Sequence, residues 1–225
     1  MKYAVLQLPF SAEPRRTYEG GGPAPLFRHP VCAWLGLRPA LAQHTAAEHA
    51  AFRRWAAGRT TAVEIGVAEG VSALAIRETM AENGTLYLID PFHLSRVPAL
   101  NFMKRAAHRA VESCRRGKTV WIEKFSHEAV RDWKELIDLI LIDGDHTEAG
   151  VERDWKEWSG FVRPGGIAMF HDARVFEGGW TEPGWGPVRL VDSRFRGGAS
   201  REWTIVEETH SVVVVQRRGD AVMPT

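Results

Sequence analysis

Residues 61–72 read TAVEIGVAEGVS, an apolar run that ends in a glycine-containing turn and continues into a second apolar segment. Gly66 permits a sharp turn directly after the run, and Gly70 allows backbone to approach a ligand closely. The spacing is E-x-G-x-x-x-G, and Ala68 stands where the dinucleotide fingerprint G-x-G-x-x-G needs its second glycine. The stretch predicts a strand, a ligand-binding loop and the start of a helix, and it disfavours a dinucleotide site.

The same alternation of apolar runs and amphipathic segments continues along the chain. Four further runs fit buried strands, namely TLYLID (85–90), TVWIE (119–123), IDLILID (137–143) and IAMF (167–170). Helices are expected between them, over 71–83, about 98–116, from 126 and over 148–162, the last ended by RPGG. Nearly unbroken apolar strands that alternate with helices predict a parallel sheet covered on both faces.

The C-terminal stretch WTIVEETHSVVVVQRR (203–218) differs, because it predicts two strands joined by a tight turn. The sheet should therefore finish in an antiparallel hairpin. We predict an α/β fold, doubly wound, with a mostly parallel, Rossmann-like seven-stranded sheet and an antiparallel C-terminal hairpin.

Two units are expected along the chain. Residues 45–225 form the main domain, which opens at the capping box TAAE (45–48), where Thr45 and Glu48 bind the first free backbone N–H groups of a helix. Residues 1–44 are rich in Pro, Gly and Arg and predict an N-terminal arm with a short strand or turn. The arm is expected to be a lid over a site, a contact in a homo-oligomer, or a partly ordered tail.

Composition excludes several classes of protein. Lys plus Arg is 29 and Asp plus Glu is 28, a balance that argues against a dedicated nucleic-acid binder. The two cysteines form no C-x-x-C pair, so neither a zinc site nor a disulfide framework is indicated. No apolar run approaches the length of a membrane span. The expectation is a cytoplasmic protein that binds neither membrane nor nucleic acid.

Polar side chains crowd the ends of two predicted strands, in IDGDH (142–146) and FHDA (170–173). The carboxyl ends of adjacent parallel strands meet at one edge of the sheet, where ligands bind, so Asp143, His171 and Asp172 should converge. Oxygen ligands with one imidazole suit Mg²⁺ or Mn²⁺. In the plainer alternative, Asp143 only contacts a cofactor, His146 is solvated and Asp145 caps the next helix; for Asp145 the cap is favoured.

The glycine loop and Asp90, at the end of the second strand, together resemble class I S-adenosylmethionine-dependent methyltransferases over residues 45–218. The resemblance implies that the loop holds the methionine part of the cofactor and that Asp90 holds its ribose. It implies cofactor contacts at Glu64, Gly66, Gly70, Ser72, Asp90, Ser126 and Asp143. Ser126, which would border the adenine, also fits a plain helix N-cap.

The pair IDGDH and FHDA is similar to a narrower group, the metal-dependent O-methyltransferases that modify sugars and polyketide or β-lactam natural products. This resemblance implies a metal site at Asp143, His171 and Asp172, with His146 as the general base. Relatives place Asp or Glu at the position of His171, which leaves Mn²⁺, Fe²⁺ or a metal-free site open beside Mg²⁺. Some β-lactam relatives are associated with hydroxylation.

The expected activity is S-adenosylmethionine-dependent, divalent-metal-assisted O-methylation of a small molecule such as a sugar, polyol or natural product. His146 would take the hydroxyl proton, since an unperturbed imidazole with a pKa of about 6.5 is mostly neutral at physiological pH; His93 and His171 are the next candidates. The glycine-rich stretch 175–203 is interpreted as a long loop whose Trp180 and Trp185 form a wall of the acceptor pocket, or as a surface loop.

Two other functions compete with this one. A nicotinamide-dependent oxidoreductase is disfavoured by Ala68 in the glycine loop, and a lack of NAD binding would eliminate it. A non-catalytic, cofactor-binding partner subunit is opposed by the intact IDGDH and FHDA stretches.

Overall fold

A computed structural model describes residues 25–92, 101–198 and 200–219. The strands are β1 Thr61–Ile65, β2 Thr85–Ile89, β3 Lys118–Ile122, β4 Ile137–Ile142, β5 Val162–Phe170, β6 Trp203–Thr209 and β7 Val212–Arg217. The helices are α1 Pro25–Leu35, α2 Ala46–Ala56, α3 Val71–Thr79, α4 Phe102–Glu112, α5 Ser126–Ala129, α6 Glu148–Trp158 and α7 Gly186–Arg194. Residues 1–24, which include most of the predicted arm, and His93 lie outside the described residues.

The seven strands form one sheet in the order β3-β2-β1-β4-β5-β7-β6. β1 to β5 are parallel, and β7 pairs antiparallel with both β5 and β6. The predicted fold class, including the C-terminal hairpin, is confirmed. From β1 the chain builds the sheet outward in both directions, through β2 on one side and through β4 on the other. Ligands of open α/β sheets bind at the carboxyl ends of the strands at such a point.

The central strand β4 shows why the sequence chooses this sheet. All six of its residues are buried, and successive side chains point to opposite faces. Ile140 and Ile142 join the core beneath α6 and α7, with Trp155 and Trp158, whereas Leu139 and Leu141 join the core beneath α2 and α3, with Phe52 and Ile76. Burying each such side chain contributes about 1.5–3 kcal/mol, so both faces hold β4 in register.

Three segments differ from the sequence-based expectation. The stretch predicted as one long loop contains α7, whose start is marked by Pro187, a residue suited to the first helical turn. RPGG (163–166) does not end α6, which stops at Trp158; it forms an irregular first half of β5 with a register shift opposite β4. The arm contains α1, which packs on α4 through Trp34, its ring 5.6 Å from that of Phe102.

None of the helices that the structure describes has the length and apolar content needed to cross a bilayer.

Candidate active site

The glycine loop after β1 contains a left-handed backbone position, Gly66, that leaves no room for a side chain. Gly66 has φ of +87°, and a Cβ there would lie 2.1 Å from the carbonyl oxygen of Asp143. Its N–H donates to the carbonyl of Ile89 at 3.0 Å, which ties the loop to β2. Ala68, the departure from the dinucleotide fingerprint, also has a positive φ of +47°. The loop is therefore pressed against the ends of β2 and β4.

Asp90 organises this loop. Its Oδ2 accepts the N–H groups of Val67 and Ala68 at 2.9 and 3.3 Å, and its Oδ1 accepts that of Phe92 at 2.7 Å. The sequence placed Asp90 at the ligand end of β2, where the structure has it. The resemblance did not indicate that the carboxylate would bind the loop's own backbone.

Glu64, in β1, is fully buried beneath the loop. The hydroxyl of Ser72 donates to its Oε1 at 2.5 Å, whereas Oε2 has no hydrogen-bond partner among the described residues. Burial raises the pKa of the Glu64 carboxyl to about 8, although the Ser72 bond acts in the opposite direction. A buried carboxyl with one oxygen left over, next to a glycine loop, fits a site that receives a polar ligand.

Two predicted helix caps are wrong. Ser126 is the first residue of α5 and not its N-cap, which is Phe125; the Ser126 hydroxyl donates to Asp154 of α6. Thr147, not Asp145, is the N-cap of α6, since its hydroxyl accepts the N–H of Gly150 at 3.1 Å. Asp145 instead accepts the N–H of Thr147 at 2.9 Å. Both predictions chose a residue within two positions of the observed N-cap whose side chain could also accept a hydrogen bond from the helix backbone.

The ends of β4 and β5 bring Asp143, His171 and Asp172 together, as the sequence predicted. His171 is 3% exposed, and its Nδ1 lies 3.1 Å from Asp143 Oδ1 and 3.5 Å from Asp172 Oδ1. Asp172 has φ of +53°, a left-handed conformation that is costly for a non-glycine residue. The strand ends thus hold a compact group of charges with a strained residue at its centre.

His146 belongs to the same group. Its Nε2 lies 2.9 Å from Asp172 Oδ2 and 3.7 Å from Asp143 Oδ1, and its Nδ1 lies 3.1 Å from the carbonyl oxygen of Gly144. The bond with Asp172 raises the pKa of His146, more than burial lowers it. Because Asp172 and the Gly144 carbonyl are both acceptors, the ring satisfies them only as an imidazolium. The raised pKa acts against the expectation of a mostly neutral imidazole, which rested on an unperturbed pKa.

Glu48 is a site residue that the sequence predicts only as part of a capping box. The capping box is present, with the Thr45 N–H donating to Glu48 Oε2 at 2.7 Å. Glu48 is also fully buried, accepts both the N–H and the hydroxyl of Ser211 at 2.8 and 2.6 Å, and has Oε2 3.8 Å from His171 Nε2. Nothing in the local sequence joins α2 to the end of β5, so only the fold reveals this pair.

Opposite charges set the pKa values of this pair. Burial acts to lower the pKa of His171, but Asp143, Glu48 and Asp172 outweigh it and hold that pKa well above its usual range. Burial acts to raise the pKa of Glu48, but His171, Ser211 and Thr45 lower it to about 2. The surrounding carboxylates thus favour the protonated form of His171, behind the two aspartates.

The side chains that could hold a metal ion differ by one residue from the predicted set. Among the described residues, donor atoms of Asp143, His146 and Asp172 all lie within 4.8 Å of one another, and His171 is not part of this group. His146 is therefore the imidazole within reach of a cation at the two aspartates, whereas Nε2 of His171 faces Glu48.

The two loop tryptophans both reach this group. The Trp180 indole N–H donates to Asp172 Oδ1 at 2.6 Å, and the Trp185 ring meets the His146 ring edge-on at 5.6 Å. On the opposite side, Leu41 of the predicted arm lines the small space beside the glycine loop, and its N–H donates to Glu69 at 2.7 Å.

Comparison with known proteins decides the class of the chain. Residues 63–173 match a family model described as a methyltransferase domain. The match begins within β1 and ends just past Asp172, so it includes the glycine loop, Asp90 and the charged strand ends. These residues are a methyltransferase domain.

Solved structures share the fold of this methyltransferase. An O-methyltransferase from Streptomyces achromogenes involved in tomaymycin synthesis, in complex with S-adenosylmethionine, has TM-score 0.57 and 15% identity, covering 86% of this chain and 89% of that one. An O-methyltransferase from Bacillus cereus in complex with S-adenosylhomocysteine has TM-score 0.54 and 14% identity, covering 85% and 90%. The N-methyltransferase NodS from Bradyrhizobium japonicum has TM-score 0.51 and 17% identity, covering 76% and 94%.

The recognition of a class I methyltransferase from the sequence is confirmed, as is the expectation of an enzyme of this class. The match opposes the nicotinamide oxidoreductase alternative. Oxygen and nitrogen methyltransferases both have this fold, so the fold alone does not select the atom that receives the methyl group.

Proposed function

We propose that this methyltransferase transfers a methyl group from S-adenosylmethionine to a hydroxyl of a small molecule, assisted by a divalent cation. The observation that carries the proposal is the convergence of Asp143, His146 and Asp172 at the strand ends, next to the glycine loop. A hydroxyl needs both activation and alignment with a methyl donor, and this placement supplies groups for each.

The glycine loop fits S-adenosylmethionine. The buried Oε2 of Glu64 has no partner among the described residues and suits the positively charged amino group of the methionine part. Gly66, Gly70 and Ser72 would border that part, Asp90 the ribose, and Ser126 the adenine. When bound, the cofactor supplies an electrophilic methyl group, and Asp143 would contact both cofactor and acceptor.

The carboxylates of Asp143 and Asp172 fit a divalent cation such as Mg²⁺ or Mn²⁺, and the His146 imidazole lies within reach of the same position. His171 was the predicted third ligand; it lies 3.1 Å from Asp143 but would have to lose its proton to bind a cation. A bound cation would lower the pKa of the acceptor hydroxyl. In this arrangement the carboxylates of Asp143 and Asp172, at the ends of β4 and β5, would supply the oxygen donors.

His146 is proposed as the general base; in this role its imidazole stays off the cation, which Asp143 and Asp172 would then hold. Asp172 Oδ2 and the Gly144 carbonyl orient its ring. His146 can accept a proton only in its neutral form. Because its pKa is raised above the usual value of about 6.5, the rate of proton removal should increase with pH up to that raised pKa.

A metal-free O-methyltransferase is the second candidate, supported by His171. This buried residue, whose pKa is raised well above its usual range, lies between Glu48 and Asp143. It would place a positive charge behind the acceptor site without a cation.

Sugars, polyols and natural products are the proposed acceptors. The likeness to an enzyme of tomaymycin synthesis supports the last of these. The proposed roles of the arm are a lid, supported by Leu41 beside the glycine loop, or an oligomer contact. A cytoplasmic location and the lack of a nucleic-acid partner stay predictions.

Calorimetry with S-adenosylhomocysteine, NAD and Mn²⁺ tests the proposal without knowledge of the acceptor. S-adenosylhomocysteine should bind with a dissociation constant near 1 μM, about −8 kcal/mol, and Asp90→Ala should weaken this binding strongly. Mn²⁺ should bind the parent, and Asp143→Ala should abolish that binding while product binding persists. NAD binding without product binding would reject the assignment, and product binding without Mn²⁺ binding would favour the metal-free candidate.

A further inference from the structure

Asp172 is held in place by more than its own backbone. It is 7% exposed, has φ of +53°, and lies in the group of proposed cation ligands. Residues with such strained backbone persist only where their surroundings fix them. Here the N–H of His171 donates to Ile142 at 3.2 Å and that of Ala173 donates to Ser211 at 2.8 Å, which fixes the backbone on both sides.

These backbone bonds leave the torsion of the Asp172 side chain to be set by its own partners. One carboxylate oxygen is 2.9 Å from His146 Nε2. The other accepts the indole N–H of Trp180 at 2.6 Å. Trp180 and His146 therefore each bind one oxygen of Asp172, and together they fix the plane of its carboxylate.

Trp180 is itself preorganised by a short loop. The hydroxyl of Thr181 donates to the carbonyl of Arg174 at 2.7 Å, which closes residues 174–181 on themselves. Phe176 packs edge-on against the Trp180 ring at 5.4 Å and stacks on His210, at the hairpin turn, at 4.9 Å with an interplanar angle of 3°. The indole N–H is thus presented by a braced ring.

We infer that Trp180 is a positioning residue that acts through Asp172, orienting this carboxylate toward His146 and toward a bound cation. The part of this inference that concerns a bound cation rests on the proposed function. Groups that orient metal ligands through hydrogen bonds typically affect metal affinity or activity by about 10- to 100-fold. From the sequence, Trp180 was predicted as part of a wall of the acceptor pocket or of a surface loop.

The test replaces Trp180 by Phe, which keeps a ring against Phe176 and removes the N–H. Trp55→Phe is the matched control, because its indole N–H also donates to a carboxylate, Glu207 Oε2 at 2.9 Å, away from the site. Trp180→Phe should weaken Mn²⁺ binding by about 10- to 100-fold and leave S-adenosylhomocysteine binding within twofold. Trp55→Phe should change neither. Unaltered Mn²⁺ affinity in Trp180→Phe would overturn the inference.

A metal-free measurement separates this inference from the proposed function. In NMR spectra at fixed pH, the ring resonances of His146 should shift in Trp180→Phe, in the direction seen for Asp172→Asn, and stay in place in Trp55→Phe. If the parent binds no Mn²⁺, the metal proposal fails, and the His146 resonances alone decide the inference: unchanged resonances reject it. If Trp180→Phe also loses product binding, Thr181→Val, which loosens the loop but keeps the indole, replaces it and should shift the same resonances.

Discussion

The two ends of the proposed active site are built in different ways. At the cofactor end, backbone dominates: Gly66 is pressed against the Asp143 carbonyl, and Asp90 binds backbone N–H groups. At the acceptor end, side chains from four separate segments meet, with Glu48 from α2 among them. A backbone site depends on neighbours in sequence, whereas a side-chain site depends on the fold.

This difference predicts different failures. A substitution at the cofactor end should abolish cofactor binding, because an added side chain displaces the backbone of the glycine loop. A change at the acceptor end should leave cofactor binding intact and alter chemistry or stability.

Gly66→Ala should have the largest effect. The added Cβ would lie 2.1 Å from the Asp143 carbonyl at a φ of +87°, so the loop must shift, at a cost of about 3 kcal/mol or more. Calorimetry should show no S-adenosylhomocysteine binding. Gly58→Ala is the control: its φ is +72° with nothing within 4 Å of the new Cβ, so it should cost only about 1–2 kcal/mol and bind normally. Normal binding by Gly66→Ala would show that the loop can move away from β4.

His146→Gln should have the next largest effect, at the acceptor end. Gln retains hydrogen bonding to Asp172 but cannot take a proton, so single-turnover methyl transfer should slow by about 10²- to 10⁴-fold with product binding unchanged. The parent rate should rise with pH through a pKa above 6.5, because Asp172 raises the pKa of His146. That rise should be missing in the variant. A variant that matches the parent at neutral pH would leave His171 or His93 as the base.

Glu48→Gln should come third, as a loss of stability. The pKa of Glu48 is about 2 in the fold, against an ordinary value of 4.5, a difference equivalent to about 3 kcal/mol above pH 4.5. Urea unfolding at pH 7 should show that loss. Because the folded pKa is depressed, the contribution disappears as pH falls from 4.5 toward 2, so about 1.4 kcal/mol of the gap should be gone by pH 3.5.

Glu78→Gln is the matched control for Glu48. Glu78 pairs with Arg53, and both side chains are about 40% exposed, so its loss should cost less than about 1 kcal/mol at any pH. A gap between parent and Glu48→Gln that stays constant from pH 7 to pH 3.5 would mean that His171 does not hold Glu48 ionised.

The same contrast explains what the sequence could predict. Alternating apolar strands and helices specify the sheet, and the glycine spacing specifies the loop, since both are local patterns. Asp143 and Asp172 could be placed at one edge because parallel strands end together. The direction of each side chain there could not be predicted: His146 took the place expected for His171, and Glu48 became its partner through α2. α7 was missed although Pro187 marked its start.

Glu64 links the two ends of the proposed site through pH. Its pKa of about 8 in the fold means that the carboxyl is protonated at neutral pH in the absence of ligand. A raised carboxyl pKa means that the folded state binds a proton that the unfolded state has lost between about pH 4.5 and pH 8. Across that window the free energy of unfolding should therefore decline with pH, and Glu64→Gln should remove the decline.

Cofactor binding should respond in the opposite direction. If the ionised Glu64 receives the amino group of the cofactor, the affinity for S-adenosylhomocysteine should increase by up to about tenfold per pH unit as the carboxyl ionises below its pKa. Calorimetry from pH 6 to pH 8 measures this slope, and Glu64→Gln should bind more weakly at pH 8 with no slope. Ser72→Ala is a graded test, because the Ser72 hydroxyl lowers the pKa of Glu64 and its loss should move the rise to higher pH. An affinity that does not change with pH in the parent would place Glu64 in the core beneath the loop and leave the amino group to other residues.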